Sequence, residues 1–147
     1  MDFSKFDTSK FTTEGYVRKV EKPWGWELHW VPDGMPYMGK VLHIEAGKRL
    51  SLQIHDEKQE TYWLISGECD LNIENSKGEM EIIHMEKGLG YTTAVGQKHR
   101  HQAVTTCDII EASTGEIGTT WRLEDDYKRP DETEALRKEP NRGWKGK

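Results

Sequence analysis

Short apolar runs separated by turn residues constrain this chain more than any other feature. WELHWV, KVLHIEA, LSLQIH, ETYWLIS, CDLNIE, MEIIHM, KHRHQAV and CDIIEAS follow one another between Val17 and Leu123, a new run roughly every 8 to 15 residues. Between them stand Pro32-Asp33-Gly34, Ala46-Gly47, Ser66-Gly67, Ser76-Lys77-Gly78, Lys87-Gly88 and Val95-Gly96. Gly supplies positive φ and Pro a fixed one, so these are turn sites. Many short strands at such spacing predict an antiparallel sandwich or barrel. With 147 residues the chain fits one domain with a modest core. Residues 1–16 form a polar N-terminal arm carrying Phe3, Phe6 and Phe11, and residues 17–130 form the barrel domain. In 131–147, DETEALRKE predicts a helical turn or two stopped by Pro140, and NRGWKGK reads as a tail.

Charge narrows the range of partners. Twenty-one basic side chains face 26 acidic ones, a net of −5, which argues against nucleic acid or an anionic membrane as partner. No apolar run approaches the roughly 20 residues of a membrane-spanning helix. The start, MDFSKFDTSK, lacks the apolar stretch of a secretory leader. Cys69 and Cys107 form neither a CxxC pair nor a disulfide framework, so a reduced, cytoplasmic location is expected. Six Trp and 14 Gly suit short strands and turns around an aromatic-lined core, to which Trp24 and Trp63 are assigned.

One set of polar residues stands out from this pattern. Alternation in LSLQIH puts Ser51, Gln53 and His55 on one strand face, with Arg49 in phase, and Leu50, Leu52 and Ile54 on the other. Five residues on, Glu60 alternates with Tyr62 and Leu64, and in GQKHRHQ His99 and His101 share a face. A hairpin joining the first two runs brings Gln53, His55 and Glu60 to one point, where His99 supplies a fourth donor. Imidazole, carboxylate and amide oxygen suit a borderline divalent metal: zinc first, with manganese, iron, cobalt or nickel compatible.

The spacing Gly47-x5-Gln53-x-His55-x4-Glu60-x6-Gly67 matches the first cupin motif, with Gln where its first His usually stands. Gly88-x7-Gly96-x2-His99 matches the second, with Ala94 and Ala103 in place of its Pro and Asn. More closely, EKPWGWE (21–27), AGKRLSLQIHDEKQETYWLISGECDLNI (46–73), GQKHRHQ, IIEASTGE and WRLEDDYKR (121–129) resemble successive segments of one family. It is the cupin domain of type II mannose-6-phosphate isomerases, which also ends bifunctional mannose-1-phosphate guanylyltransferases. The resemblance covers about residues 21 to 129. It implies an all-β double-stranded β-helix, a jelly-roll barrel, flanked by the arm and the short C-terminal segment.

The resemblance also implies one divalent metal on Gln53, His55, Glu60 and His99, and interconversion of mannose 6-phosphate and fructose 6-phosphate through an enediol(ate). Such chemistry needs a Lewis acid, a proton-transfer base and cations for the phosphate. Lys40, Glu111, His101 and Arg122 are the catalytic candidates; Arg49, Ser51, Tyr62 and Arg129 are the substrate-binding ones. The chain departs from the family in HDEKQET (55–61), where two histidines become Asp56 and Glu57; these repel a phosphosugar if they face it. Two other readings stand beside the isomerase: a metal-binding cupin acting on another carbohydrate or small molecule, oxygenase chemistry included, and a non-catalytic sugar-binding module. A homodimer is expected, with the arm either an exchanged strand or a loose terminus.

Overall fold

A computed structural model describes residues 1–146 and shows eleven strands in two antiparallel sheets. They are β1 (Arg18–Lys22), β2 (Gly25–His29), β3 (Tyr37–Ile44), β4 (Leu52–His55), β5 (Glu60–Ser66), β6 (Cys69–Glu74), β7 (Met80–His84), β8 (Gly90–Thr93), β9 (His99–Ala103), β10 (Cys107–Thr114) and β11 (Thr120–Glu124). One sheet has the order β1-β2-β3-β10-β5-β8, the other β11-β4-β9-β6-β7. The chain thus crosses repeatedly from one sheet to the other, as in a jelly roll. The expected turns all fall between strands. At Gly67 the turn requires glycine: its φ is +78°, and a Cβ there would run into the Thr106 carbonyl and Cys107.

The inward-facing rows are graded. On β3 they run Lys40, Leu42, Ile44; on β5 Glu60, Tyr62, Leu64; on β9 His99, His101, Ala103; on β10 Glu111, Ile109, Cys107, and all are buried. Apolar ends meet in one cluster that includes Trp24, Ile44, Leu64, Leu71 and Ile109. Polar ends meet at the opposite end, so the barrel has an apolar floor and an ionisable mouth. Trp24 belongs to the floor at 2% exposure, but Trp63 does not: alternation with Tyr62 turns it outward, 46% exposed.

The two ends of the chain contrast with each other. Every residue from 1 to 17 is exposed, and the arm contains no strand, only a 3-10 turn at Thr8–Lys10. The C-terminal segment is instead part of the domain. Glu132 pairs with Thr120 through two backbone hydrogen bonds (2.9 and 3.0 Å), and Glu132, Arg137 and Arg142 are buried. Helix α1 (Glu134–Arg137) is capped by Thr133, whose side chain accepts from Leu136 N. Asn141 accepts from Glu21 N at 2.9 Å, which fastens the segment to β1. Among the described residues no helix is long and apolar enough to cross a membrane.

Candidate metal centre

Cross-strand pairing assembles the centre. Gln53 on β4 is paired with His99 on β9, and β5 brings Glu60 up from the other sheet. His55 Nε2 lies 3.0 Å from Glu60 Oε2, and His99 Nε2 lies 3.3 Å from the same oxygen. Gln53 Nε2 is 3.3 and 3.5 Å from the two imidazole nitrogens. His55, Glu60 and His99 each offer a donor atom within 4.8 Å of the others, and all three are buried.

The remaining bonds fit a cation. His99 Nδ1 is 2.9 Å from the Gln97 carbonyl, which only accepts, so Nδ1 carries a proton and, in the neutral ring, Nε2 is left to face the cluster. There it stands 3.3 Å from Glu60 Oε2 and 3.1 Å from the Tyr62 hydroxyl, so the neutral imidazole and the carboxylate both turn electron pairs toward the space a cation would fill. His55 Nδ1 is held by Thr120 Oγ1 at 3.0 Å. Fixing the far ring nitrogen in this way is how proteins orient imidazole ligands. Ser51 Oγ donates to Gln53 Oε1 at 2.8 Å, and since a hydroxyl also accepts, the amide is free to present oxygen to the cluster when turned over. The donor set therefore fits a divalent metal of the zinc or manganese kind.

Around the cluster lies an unusual density of buried charge. Lys58 Nζ is 2.6 Å from Glu60 Oε1 and within 3.9 Å of Glu111 and Glu116. Lys40 pairs with Glu116 and is 3.8 Å from both Glu27 and Glu111. Burial works against ionisation of Glu60, but Lys58 and His55 outweigh it and hold its carboxyl well below the ordinary value. At Glu111 burial wins: helped by the charge of Glu60, it lifts the carboxyl to about 8 against the pull of Lys58 and Lys40. Glu111 Oε2 has no hydrogen-bond partner.

A cavity of about 40 Å³ reaches the cluster, room for about three waters. Of the residues expected at the site, Gln53, His55, Glu60, Ser51, Lys40, Glu111, Arg122 and Arg129 line it; His99 closes the cluster behind. Three candidates sit elsewhere. Arg49 turns outward to a two-pronged pair with Asp126 at 2.8 Å, because β4 begins at Leu52 and alternation does not extend back to residue 49. Tyr62 lies behind the donors, its hydroxyl on Glu60 and 3.1 Å from His99 Nε2. His101 packs edge-on against the Tyr62 ring (centroids 4.3 Å apart), and burial, with His99 nearby, lowers its pKa to about 3. It stands beneath the cluster, not at the cavity.

Several lining residues carried no sequence signal. Lys22, Glu27, Lys58, Glu132 and Arg142 all face the cavity. Lys22 shares its strand face with buried Val20, an alternation masked by the surrounding charges of RKVEK; Lys58 and Arg142 lie in segments without periodicity. Asp56 and Glu57 are exposed. Asp56 accepts from Thr119 N (2.7 Å) and Trp121 Nε1 (3.1 Å), so its carboxylate is engaged by a loop instead of facing the cavity. Six basic side chains line the cavity against four acidic ones, the reverse of the whole-chain balance.

Known proteins share this fold. The sequence matches the family described as mannose-6-phosphate isomerase C-terminal over residues 10–132. No curated protein sequence matches the chain. Solved structures similar to it include that of Bacillus subtilis oxalate decarboxylase at pH 4.6, with 17% identity and a TM-score of 0.62 over 80% of this chain and 31% of that one. The Lactobacillus farciminis oxalate decarboxylase formate complex gives 16% and 0.60, over 73% and 33%. The chain thus spans about a third of those enzymes, and the likeness is one of fold. With cupin motifs, a jelly-roll barrel and a family match over most of its length, the chain belongs to the mannose-6-phosphate isomerase C-terminal family of cupins.

Proposed function

We propose that this chain is a metal-dependent sugar-phosphate aldose–ketose isomerase of the mannose-6-phosphate type. The single observation that carries the reading is the juxtaposition of the Gln53/His55/Glu60/His99 cluster with a cavity wall of six cations in an acidic chain. A divalent ion on those donors supplies a Lewis acid that polarises the sugar carbonyl or hydroxyl. Glu111 takes the proton from C2 of the open-chain aldose: the C–H electron pair forms the C1=C2 bond while the C1=O π pair moves to O1, giving the enediol(ate). Glu111 then returns the proton to C1 as the hydroxyl on C2 passes its own proton to O1 and becomes the ketone carbonyl. A carboxyl lifted to about 8 suits that exchange, since a catalytic base works best near the operating pH. Lys40 and Lys58 flank Glu111 and offset charge developing on the substrate oxygens. Arg122 and Arg129 serve the phosphate. A phosphosugar is larger than the 40 Å³ cavity, so binding separates ion pairs at the mouth.

That small volume favours a second reading, a metal-binding cupin acting on a smaller anionic substrate. Turnover of mannose 6-phosphate by the metal-loaded chain supports the first. Its absence, with turnover of a small carboxylate or oxygen uptake, supports the second.

For assembly, we propose a homodimer through the outer face of the six-stranded sheet. Leu28, Val41, Ile110 and Trp63 are cross-strand neighbours and form a continuous apolar row there. On that face of β2, β3, β10, β5 and β8 the one charged residue among those described is Asp108, tied to His43 (2.6 Å) and Ser66 (3.0 Å). Six strands about 4.8 Å apart and five residues deep cover roughly 400 Å² of flat sheet. A stable pair needs about 800 Å² per partner. The arm, which enters β1 at the edge of this sheet with Phe3, Phe6 and Phe11 exposed, supplies the remainder.

A further inference from the structure

The C-terminal segment does more than close the barrel. Glu132 alone receives four cations: Arg142 at 2.9 Å, Arg137 at 3.3 Å, Arg122 at 3.4 Å and Lys22 at 3.7 Å. Glu27 also meets Lys22 at 3.9 Å, but it is shared with Lys40, and Glu116 helps with Arg137 and Arg142 while it is shared by Lys40 and Lys58, so six cations face three carboxylates here. Positive charge is therefore in excess, and it is buried: Arg142 is 7% exposed and Lys22 9%. Within this group, Nε of Arg122 and Nε of Arg142 have no hydrogen-bond partner. An unpaired buried guanidinium N–H is costly, and a buried excess of cations more so.

These groups converge on one place. A second small cavity, about 20 Å³, is lined by Lys22, Arg122, Arg129 and Arg142, together with Asn141 and Trp144, and by no carboxylate-bearing residue among those described. The same four cations also line the cavity of the metal centre, so the two spaces adjoin. The turn that delivers Arg142 is held in an unfavourable form: Asn141, Arg142 and Gly143 have successive φ values of 47°, 52° and 80°, a left-handed run that only glycine adopts freely. Strain concentrated where an arginine enters a cationic pocket is the pattern of a functional device.

We infer that Lys22, Arg122 and Arg142 form an oxyanion subsite beside the metal centre, built to hold the phosphate dianion of the substrate and completed by the C-terminal turn. The inference deepens the proposed isomerase reading, on which it rests, by giving its phosphate a place. Arg142 lies beyond residues 10–132, so the family match does not include it. A tetrahedral dianion takes the two orphaned N–H groups and neutralises the surplus charge. Neutral sugars and monocarboxylates do neither, and the pocket is too small for a sugar ring.

Inorganic phosphate is the probe, titrated into the full chain at low ionic strength, with and without a chelator. Calorimetry is expected to show one phosphate per chain, bound equally with chelator present, with sulfate competing and acetate not. Arg142→Gln is expected to weaken binding at least tenfold while Lys5→Gln in the exposed arm leaves it unchanged. Amide spectra of the unaltered chain provide a check independent of the variant's folding: phosphate should shift Asn141, Arg142 and Gly143. Binding that vanishes with chelator, that is the same in Arg142→Gln, or that shifts only exposed lysine segments overturns the subsite. Phosphate binding at this turn without mannose 6-phosphate turnover keeps the subsite and refutes the isomerase; turnover without phosphate binding does the reverse.

Discussion

Two kinds of buried carboxylate share the mouth of this barrel, and they respond to pH in opposite directions. At Glu27, Glu116 and Glu132 burial opposes ionisation, but neighbouring Lys22 or Lys40 outweighs it and lowers the pKa below the unfolded value of 4.5. Such groups contribute stability above pH 4.5 and lose it as pH falls through their folded values. Glu111 behaves in reverse. Its folded pKa of about 8 exceeds the unfolded 4.5, so the folded state binds the extra proton between those limits and stability falls as pH rises across them. Glu111→Gln should therefore raise Tm relative to the unaltered chain, with little difference at pH 5 and several degrees at pH 8.5 by calorimetry. An equal difference at both pH values would show that Glu111 ionises normally. Glu111 was singled out through the family resemblance of IIEASTGE; its neighbours needed tertiary structure. Lys58 lies between His55 and Glu60 in sequence without periodicity around it, and it pairs with Glu60 only because the β4–β5 loop folds back.

At the scale of elements, strand alternation made most of the barrel legible. CDLNIE, with clean alternation, became β6 with Cys69, Leu71 and Ile73 buried, whereas ETYWLIS became β5 with an unbroken apolar run, Tyr62 to Ile65, that hid the outward turn of Trp63. Alternation did not announce β1 and β8. Both are edge strands of the large sheet, one dense in charge and the other only GYTT, and edges bury too little to impose a pattern. The same physics separates Trp24 from Trp63, which composition alone could not. Trp24→Ala should cost about 3–5 kcal/mol in urea unfolding, and Trp63→Ala under about 1 kcal/mol in the monomer. The C-terminal segment was the least legible element, since its buried Glu132, Arg137 and Arg142 resemble an ordinary charged tail. Truncation after Pro130 should lower Tm by well over about 5 °C, because it removes Glu132, the carboxylate that Arg122 and Lys22 share, and exposes the mouth. A truncated chain as stable as the intact one would return 131–147 to the status of an appendage.

The whole molecule resolves an apparent conflict in charge. The charges of the two terminal segments cancel, so the net of −5 belongs to the barrel between them and to its outward-facing residues, whereas the cavity at the metal centre carries a cationic excess. Apart from β1, which carries Lys19 and Glu21 there, the outer face of the six-stranded sheet is a third electrostatic region, almost free of charge. If that face pairs two copies, sedimentation of the intact chain should show a dimer, and Trp63→Glu should raise its dissociation constant at least 100-fold with an unchanged circular dichroism spectrum. Ile82→Glu, on the outer face of the other sheet and 73% exposed, should leave it intact. A monomer at 100 μM, or a dimer indifferent to Trp63→Glu, would place the interface elsewhere.

The cluster of Gln53, His55, Glu60 and His99 is the centre on which every step of the proposed chemistry depends. The most direct measurement is aldose–ketose exchange on mannose 6-phosphate, followed by proton NMR with the chain stripped of metal and then reloaded with zinc or manganese, the bound ion counted by mass spectrometry. One ion per chain, formation of fructose 6-phosphate that appears on loading, and loss of both ion and turnover in Glu60→Ala and His99→Ala are the predicted results. A chain that holds one ion at these residues yet leaves mannose 6-phosphate unchanged would contradict the isomerase, and one that holds no ion would contradict the centre itself.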